Sequence, residues 1–332
     1  MTQDPARHQI NVTGNSVQTA YITHPDCLKH DMGMAHPECP QRLIVIENEL
    51  KATGLLAQLQ RYEAPLATTE QLARVHTQEY IESIRQAAPA TGLIALDADT
   101  AMNPFSLSAA LHAAGAVVLA TDLVLAGTVN NAFCAVRPPG HHAESDRAMG
   151  FCLFNNIAVG VAHAIEQHHL QRIAILDFDV HHGNGSEEIF RDNPHVMLCS
   201  TFQHPFYPYS GANSATERMI NVPLPRGCNG AAFRQAVTDH WLPALDRFKP
   251  EMIFVSAGFD AHRDDDMAQL LLEDVDYVWI TRQIKVIADQ YTHGRIVSAL
   301  EGGYDLKALA RCAVAHIQAL QAKNIPSVSA NR

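Results

Sequence analysis

Asp177, Asp179 and His181 stand two residues apart in the chain. Alternate residues of an extended segment point to one side, so a strand running through them would bring both carboxylates and the imidazole together. That set suits a metal site for zinc, iron or manganese, or an acid/base network. Asp260, which follows another apolar run, would supply a third protein ligand, and three ligands leave a position open for water, the catalytic rather than the structural arrangement. Two aspartates and one neutral histidine neutralise a dication, so such a centre acidifies water less than a three-histidine site and needs a separate base. His141 and His142 answer that need, set on the turn Pro138-Pro139-Gly140. A positioned base is worth roughly 10² to 10⁴ in rate. Tyr304 follows Gly302 and Gly303, whose missing side chains let a phenol reach deep into a site. One such donor to a developing oxyanion contributes about 3 to 4 kcal/mol. Metal, base pair and phenol together describe hydrolysis of an amide.

These residues must be brought to one place by strands. Short apolar runs alternate with long amphipathic segments, the pattern of a parallel sheet covered by helices. Strands are expected over Ala132–Val136, Arg172–Phe178, Met252–Ser256 and Arg295–Leu300. Helices are expected over Ser106–Ala126, Asn155–His168, Gly230–Phe248 and Asp274–Tyr291. Each strand is followed by one of the reactive segments, and the carboxyl ends of parallel strands face a common crevice. The expectation is an α/β fold, one mainly parallel sheet in a three-layer αβα sandwich.

Composition narrows the function. The 332 residues carry 24 basic and 35 acidic side chains, 24 − 35 = −11, with no long basic run, so nucleic acid is not expected as a direct ligand. The richest apolar stretch, Ala113–Gly127, is interrupted and short of ~20 residues, so no membrane segment is expected. The start lacks a secretory pattern, which points to the cytosol. Seven scattered cysteines read as reduced, buried thiols, and the sequon at Asn11 as chance. One domain over residues 17–323 is expected, with polar tails at 1–16 and 324–332.

Lone polar residues get the plainer reading. His36, His76, His112 and His204 are expected to be solvated or capping, Asp99 a cap or turn residue, and Asp264 to Asp266 a solvated acidic loop. His182 and Asn184 would satisfy the tight turn around Gly183 and Gly185.

The segments Arg137-Pro-Pro-Gly-His-His-Ala, Gly150-Phe-Cys-Leu-Phe-Asn-Asn, Asp177-Phe-Asp-Val-His-His-Gly-Asn-Gly, Ser256-Ala-Gly-Phe-Asp-Ala-His and Glu301-Gly-Gly-Tyr resemble the zinc-dependent histone deacetylase family. The match extends from about residue 20 to 320 and favours the class II and bacterial branch, whose opening motif resembles His36-Pro-Glu-Cys-Pro-Gln-Arg42. The resemblance implies the arginase/deacetylase fold. It implies zinc on Asp179, His181 and Asp260, His142 as base and then acid, His141 oriented by Asp177, and Tyr304 as oxyanion donor. Asn184 stands where class I members hold an aspartate against the second histidine, so His142 is expected to titrate lower than theirs. An acyl-lysine tunnel would fall on Gly150, Phe151 and Tyr207, with Gly302 and Gly303 beneath, and Arg42 near an acetate exit. Structural potassium would be held by Asp177, Asp179, His181, Ser200 and Thr201, and more weakly near Phe190, Asn193 and Val196. Met267 falls where polyamine-selective relatives place a glutamate, which favours acyl-lysine. The acidic run beside it could attract either substrate, and Tyr209, where relatives often carry glycine, could narrow the entrance.

The leading reading is a zinc amidohydrolase acting on an acylated lysine of a protein or peptide, or on an acylated small amine, with a homo-oligomer open. A dinuclear manganese ureohydrolase would need an aspartate two residues past His181, where Gly183 stands. A non-catalytic acyl-peptide module would have no use for a complete set of ligands, base and phenol.

Overall fold

The structure, a computed structural model, describes residues 17–322. The tails expected at 1–16 and 324–332, and Asn11, lie outside them. Eight strands form one sheet: β1 (Thr19–Thr23), β2 (Gln60–Glu63), β3 (Asn131–Cys134), β4 (Ile173–Asp177), β5 (Val196–Gln203), β6 (Met219–Leu224), β7 (Met252–Ala257) and β8 (Ile296–Leu300). Their order is β2-β1-β3-β8-β7-β4-β5-β6, and every neighbouring pair is parallel. The four strands expected from sequence are therefore the four contiguous central ones, β3, β8, β7 and β4. Each is buried along its whole length, which is why its apolar run is unbroken. Edge strand β2, Gln-Arg-Tyr-Glu, alternates half-buried and exposed positions and carries no such run.

Helices flank the sheet in two groups. α1 (Gln41–Ala52), α4 (Asp274–Tyr291) and α5 (Leu306–Gln321) pack together, and α2 (Ser106–Leu125) packs on α3 (Asn156–His168). At 20 residues and mean hydropathy 1.7, α2 is long and apolar enough to cross a bilayer, which corrects the length argument made from the shorter stretch. What marks it as a core helix is burial: 67% of its most apolar window is covered, against α3 and strands β1, β3 and β8. The helix expected over Gly230–Phe248 is three pieces, Gly230–Ala236, a wider π turn at Val237–Trp241, and Leu242–Phe248. Pro243 has no N–H to donate back along the helix, and the widened turn sits immediately before it. α3 begins where the Asn155 side chain accepts the Ala158 N–H at 3.0 Å, a side-chain cap on the first turn.

Candidate active site

At the carboxyl ends of β4 and β7, ligand atoms of Asp179, His181 and Asp260 lie within 4.8 Å of one another, and all three residues are buried. Backbone donors hold the carboxylates: Asp179 Oδ1 accepts the His181 N–H at 2.9 Å, Asp179 Oδ2 the Gly302 N–H at 2.8 Å, and Asp260 Oδ1 the Val180 N–H at 2.9 Å. Asp260 Oδ2 is fully buried and makes no hydrogen bond among the described residues; it faces His181 Nδ1 at 3.2 Å, which is bonded to Asp179 Oδ1 at 3.1 Å. Burial opposes charge on His181, yet the two carboxylates raise it to about 10. Burial and then Asp179 push Asp260 up to about 6. The corner demands positive charge and keeps one carboxylate oxygen with no donor, which is what a set of cation ligands requires. A Cβ at Gly302 would stand 2.0 Å from Asp260 Oδ2, so only glycine fits there.

Among the described residues, three other groups bring ligand-type side chains together: His24, Asp26 and His112; Asp122, His163 and His168; His262, Asp274 and Cys312. In each, one imidazole uses its second nitrogen as an acceptor. His24 Nδ1 takes the Asp26 N–H at 3.1 Å, His163 Nδ1 takes the Arg74 guanidinium at 3.0 Å, and His262 Nδ1 takes the Asp264 N–H at 3.1 Å. A neutral imidazole that accepts at one nitrogen carries its proton on the other, so His24 turns an N–H to Glu63 outside its group, at 3.3 Å, and His163 and His262 face Asp122 and Asp274 with an N–H and not with a lone pair. They are hydrogen-bonded clusters. His112, expected to be solvated or capping, is one of their buried members, its Nδ1 bonded to the Ala64 carbonyl at 2.7 Å.

The histidine pair follows β3. His141 Nδ1 meets Asp177 Oδ2 at 2.9 Å, and His142 Nδ1 meets Asn184 Oδ1 at 2.7 Å. Both rings are buried, their centroids 4.0 Å apart. Burial opposes charge on His141, but Asp177, with Asp179 and Glu301, outweighs it and holds its pKa well above the ordinary value. Burial, then His141 and His181, hold His142 well below. One ring stays cationic and the other stays a neutral base. Glu301, not singled out from sequence, fixes the turn beneath them: its buried Oε2 accepts the N–H groups of Gly140 at 2.7 Å and His141 at 3.1 Å.

Tyr304 follows β8 with its phenol driven well above the ordinary pKa by burial, against the pull of Arg42, and so kept as a donor. Arg42 lies 4.9 Å from the phenol ring and donates to the Gly303 carbonyl at 2.7 Å and to the Glu301 carbonyl. Glu38, wholly buried, binds both Arg42 and Arg137, so the opening motif is an internal clamp. The acidic run corrects an expectation. Asp265 is 4% exposed, and its carboxylate accepts the N–H groups of Tyr304 at 2.6 Å, Asp305 at 2.9 Å and Met267 at 3.0 Å. Nothing in a run of three aspartates marks its middle member for burial; the signal lies in the donors of a segment far along the chain.

Over these groups stands a cavity of about 270 Å³ lined by His141, His142, Gly150, Phe151, His181, Phe206, Tyr207, Met267, Gly302 and Tyr304, with Asp99 and Pro139. Gly150 has φ +57°, and a Cβ there would stand 2.4 Å from the His142 ring. Phe151 meets Tyr304 edge to face at 5.9 Å, and Tyr207 meets His142 at 5.3 Å. Phe206, which sequence reasoning missed beside Tyr207, stacks on His181 at 5.6 Å. Asp99 is more than a turn residue: its Oδ1 accepts the Gly150 N–H at 3.1 Å at the cavity wall. Tyr209 is 74% exposed and absent from the lining, so it does not narrow the cavity.

Asn184 and His182 do more than close a turn. Asn184 bridges His142 and Glu144, and buried His182 lies 2.6 Å from Glu187. His76, expected to be solvated or capping, is instead buried between the Glu144 carbonyl and the Asn155 N–H. Ser200 pairs with Asp177 across β4 and β5, and its buried hydroxyl has no hydrogen-bond partner among the described residues; Thr201 is buried beside it. Phe190, Asn193 and Val196 share a turn of backbone bonds, Asn193 N–H to the Phe190 carbonyl at 3.0 Å and Val196 N–H to that of Asn193 at 3.4 Å.

The family model described as a histone deacetylase domain matches residues 36–320. A histone deacetylase-like amidohydrolase of Pseudomonas aeruginosa is 39% identical over 292 residues, 86% of this chain and 77% of that protein. A probable deacetylase of Archaeoglobus fulgidus is 34% identical, covering 87% of this chain and 82% of the relative. Histone deacetylase 14, chloroplastic, of Arabidopsis thaliana is 36% identical, with 86% and 73% covered. Among solved structures, the HDA15 HD domain superposes with a TM-score of 0.85 at 31% identity, covering 92% of this chain and 88% of that one.

Proposed function

Because the chain belongs to the histone deacetylase family, we propose that it is a zinc-dependent amidohydrolase that removes acetyl or another small acyl group from an amine, foremost the Nε-acyl-lysine of a protein or peptide. The family is generally zinc-dependent. Zinc on Asp179, His181 and Asp260 would supply Lewis acidity toward the acyl carbonyl and toward water. The rest falls to the chain's own side chains. Neutral His142 takes a proton from the attacking water and returns it to the departing amine. Cationic His141, tied to Asp177, keeps positive charge beside the developing anion, and the Tyr304 phenol donates a hydrogen bond to it. Phe151, Phe206 and Tyr207 enclose a slot suited to a methylene chain. Arg42, held beneath Tyr304, would meet the released acid. Potassium at Asp177, Asp179, His181, Ser200 and Thr201 is part of the same proposal, supported by the unpartnered Ser200 hydroxyl.

The observation that carries the reading is the buried Asp260 oxygen left without a donor between Asp179 and His181, directly under a cavity lined by base and phenol. An acetylated polyamine is the second substrate class, favoured by Asp99 in the wall. Met267 offers a cation nothing to pair with and supports acyl-lysine. The test compares turnover of an acetyl-lysine peptide, trifluoroacetyl-lysine and acetylated spermidine, with and without a hydroxamate chelator. Fastest turnover of the lysine substrates, abolished by hydroxamate, is expected. Hydrolysis of none of them after zinc loading overturns the reading.

A further inference from the structure

Resting on that reading, we propose that Glu144 is a positioning residue: acting through the Asn184 side-chain amide, it fixes His142 as the Nδ1–H tautomer, with the Nε2 lone pair free to take the proton. The chain of contacts is direct. His142 Nδ1 meets Asn184 Oδ1 at 2.7 Å, and Asn184 Nδ2 donates to Glu144 Oε1 at 2.7 Å. The other neighbours of Nδ2 are acceptors as well, the His142 carbonyl and Met149 Sδ, each at 3.3 Å. A primary amide can rotate by half a turn and exchange its oxygen for its nitrogen; what selects one orientation is its partners. A carboxylate only accepts, so it must face Nδ2, and Oδ1 is then turned to the imidazole. Facing a carbonyl oxygen, the nearer imidazole nitrogen must carry the hydrogen.

Glu144 is itself well fixed. Its Oε2 accepts from Arg147 at 2.8 Å, its N–H donates to the Arg147 carbonyl at 2.9 Å, and its own carbonyl accepts from His76 Nδ1 at 2.9 Å. Its side chain is 20% exposed, so the formal charge sits at the protein surface, one residue removed from the ring. An aspartate in place of Asn184 would hold charge directly against the imidazole; the amide passes on direction without charge. His142 thereby keeps the low proton affinity of a buried neutral ring and still presents the correct nitrogen. Sequence alone gives no hint of this, because Glu144 lies two residues past the histidine pair in an ordinary polar turn.

The test is to record imidazole 15N correlation spectra of the full-length protein at neutral pH, with the His142 signals assigned by their loss in His142→Ala. The native protein is expected to give a single Nδ1–H pattern. Glu144→Gln keeps the shape but can donate as well as accept, so the amide can flip. That variant should show a second, Nε2–H pattern, with kcat lower by about tenfold to a hundredfold and KM within about twofold. Glu144→Gln/Asn184→Asp puts an acceptor-only group against both neighbours and should restore the single pattern and most of kcat. A merely structural role would not be rescued in this way. An unchanged Nδ1–H pattern with native turnover in Glu144→Gln overturns the proposal. Should that variant fail to fold, Asn184→Asp alone, which sets two carboxylates about 2.7 Å apart, is expected to turn over more slowly than the double variant; equal or faster turnover overturns the proposal. If the native protein hydrolyses no acyl-amine but the tautomer pattern responds as described, the functional reading fails and the positioning role stands.

Discussion

Among the corners of this molecule where aspartates and histidines lie within reach of one another, those at Asp122 and Asp179 are built for opposite ends. In the Asp122 corner between α2 and α3, His163 and His168 donate to a single Asp122 oxygen at 2.8 and 2.7 Å, and Arg74 caps the far nitrogen of His163. Each contact there pairs a donor with an acceptor, and the Asp122 side chain is 48% exposed. In the Asp179 corner every residue is buried, the carboxylates are gripped by backbone N–H groups, and one oxygen is left without a donor. Proximity of ligand-type residues does not make a metal site. A surplus of buried negative charge and lone pairs is what sets the Asp179 corner apart as the candidate.

The comparison can be broken most decisively by substitution of ligands. Asp260→Asn should abolish turnover and metal retention together, measured by elemental analysis of the purified protein, whereas Asp122→Asn should leave both at native levels. Metal loss in the Asp122 variant would erase the distinction. Tyr304→Phe separates chemistry from binding: kcat should fall by about 10² to 10³ with zinc content unchanged, and near-native turnover would remove the phenol from the mechanism. Asp265→Ala leaves three backbone donors without their acceptor and should lower stability by about 2 to 3 kcal/mol in denaturant titrations. An unchanged midpoint would return that aspartate to the solvated loop first expected.

A pH experiment sharpens the contrast further. Burial holds His76 down at about 4, because its Nε2 accepts the Asn155 N–H and has no room for a proton. The unfolded chain binds that proton near pH 6.5, so the folded state loses stability as pH falls from about 6.5 to about 4, by about 3 kcal/mol in all. Above that window the contribution is fully present. Denaturant midpoints of native protein and His76→Gln should therefore converge on acidification, and parallel curves would contradict the assignment. The smallest effect belongs to the half-exposed corner, where Asp122→Asn should change stability at neutral pH by no more than about 1 kcal/mol.

The legibility of the sequence follows the same divide. The four central strands could be read because both faces are covered and their apolar runs are continuous, and the reactive segments follow directly at their ends. β2 could not, since an edge strand of Gln, Arg, Tyr and Glu looks like a loop. Val196–Gln203 does carry an apolar run that went unread. Asp179, His181, Asp260, the histidine pair and Tyr304 were visible through spacing and motif. Asp265, Glu301, Glu38 and Glu144 were not, because their work is to accept hydrogen bonds from residues distant in the chain or across a turn, and a carboxylate that does so has the same letter as one in solvent. Asp99 was visible and given too small a part, its partner Gly150 lying on a loop that only folding brings near.

α2 carries a consequence for how the chain is made. It emerges from the ribosome long before β8, the strand it shields, has been synthesised, and in that interval a helix greasy enough for a bilayer has no finished surface to lie against. Synthesis that stops short of the last strand thus leaves a sticky intermediate. Aggregation of C-terminally shortened versions is the outcome expected from the position of that one helix.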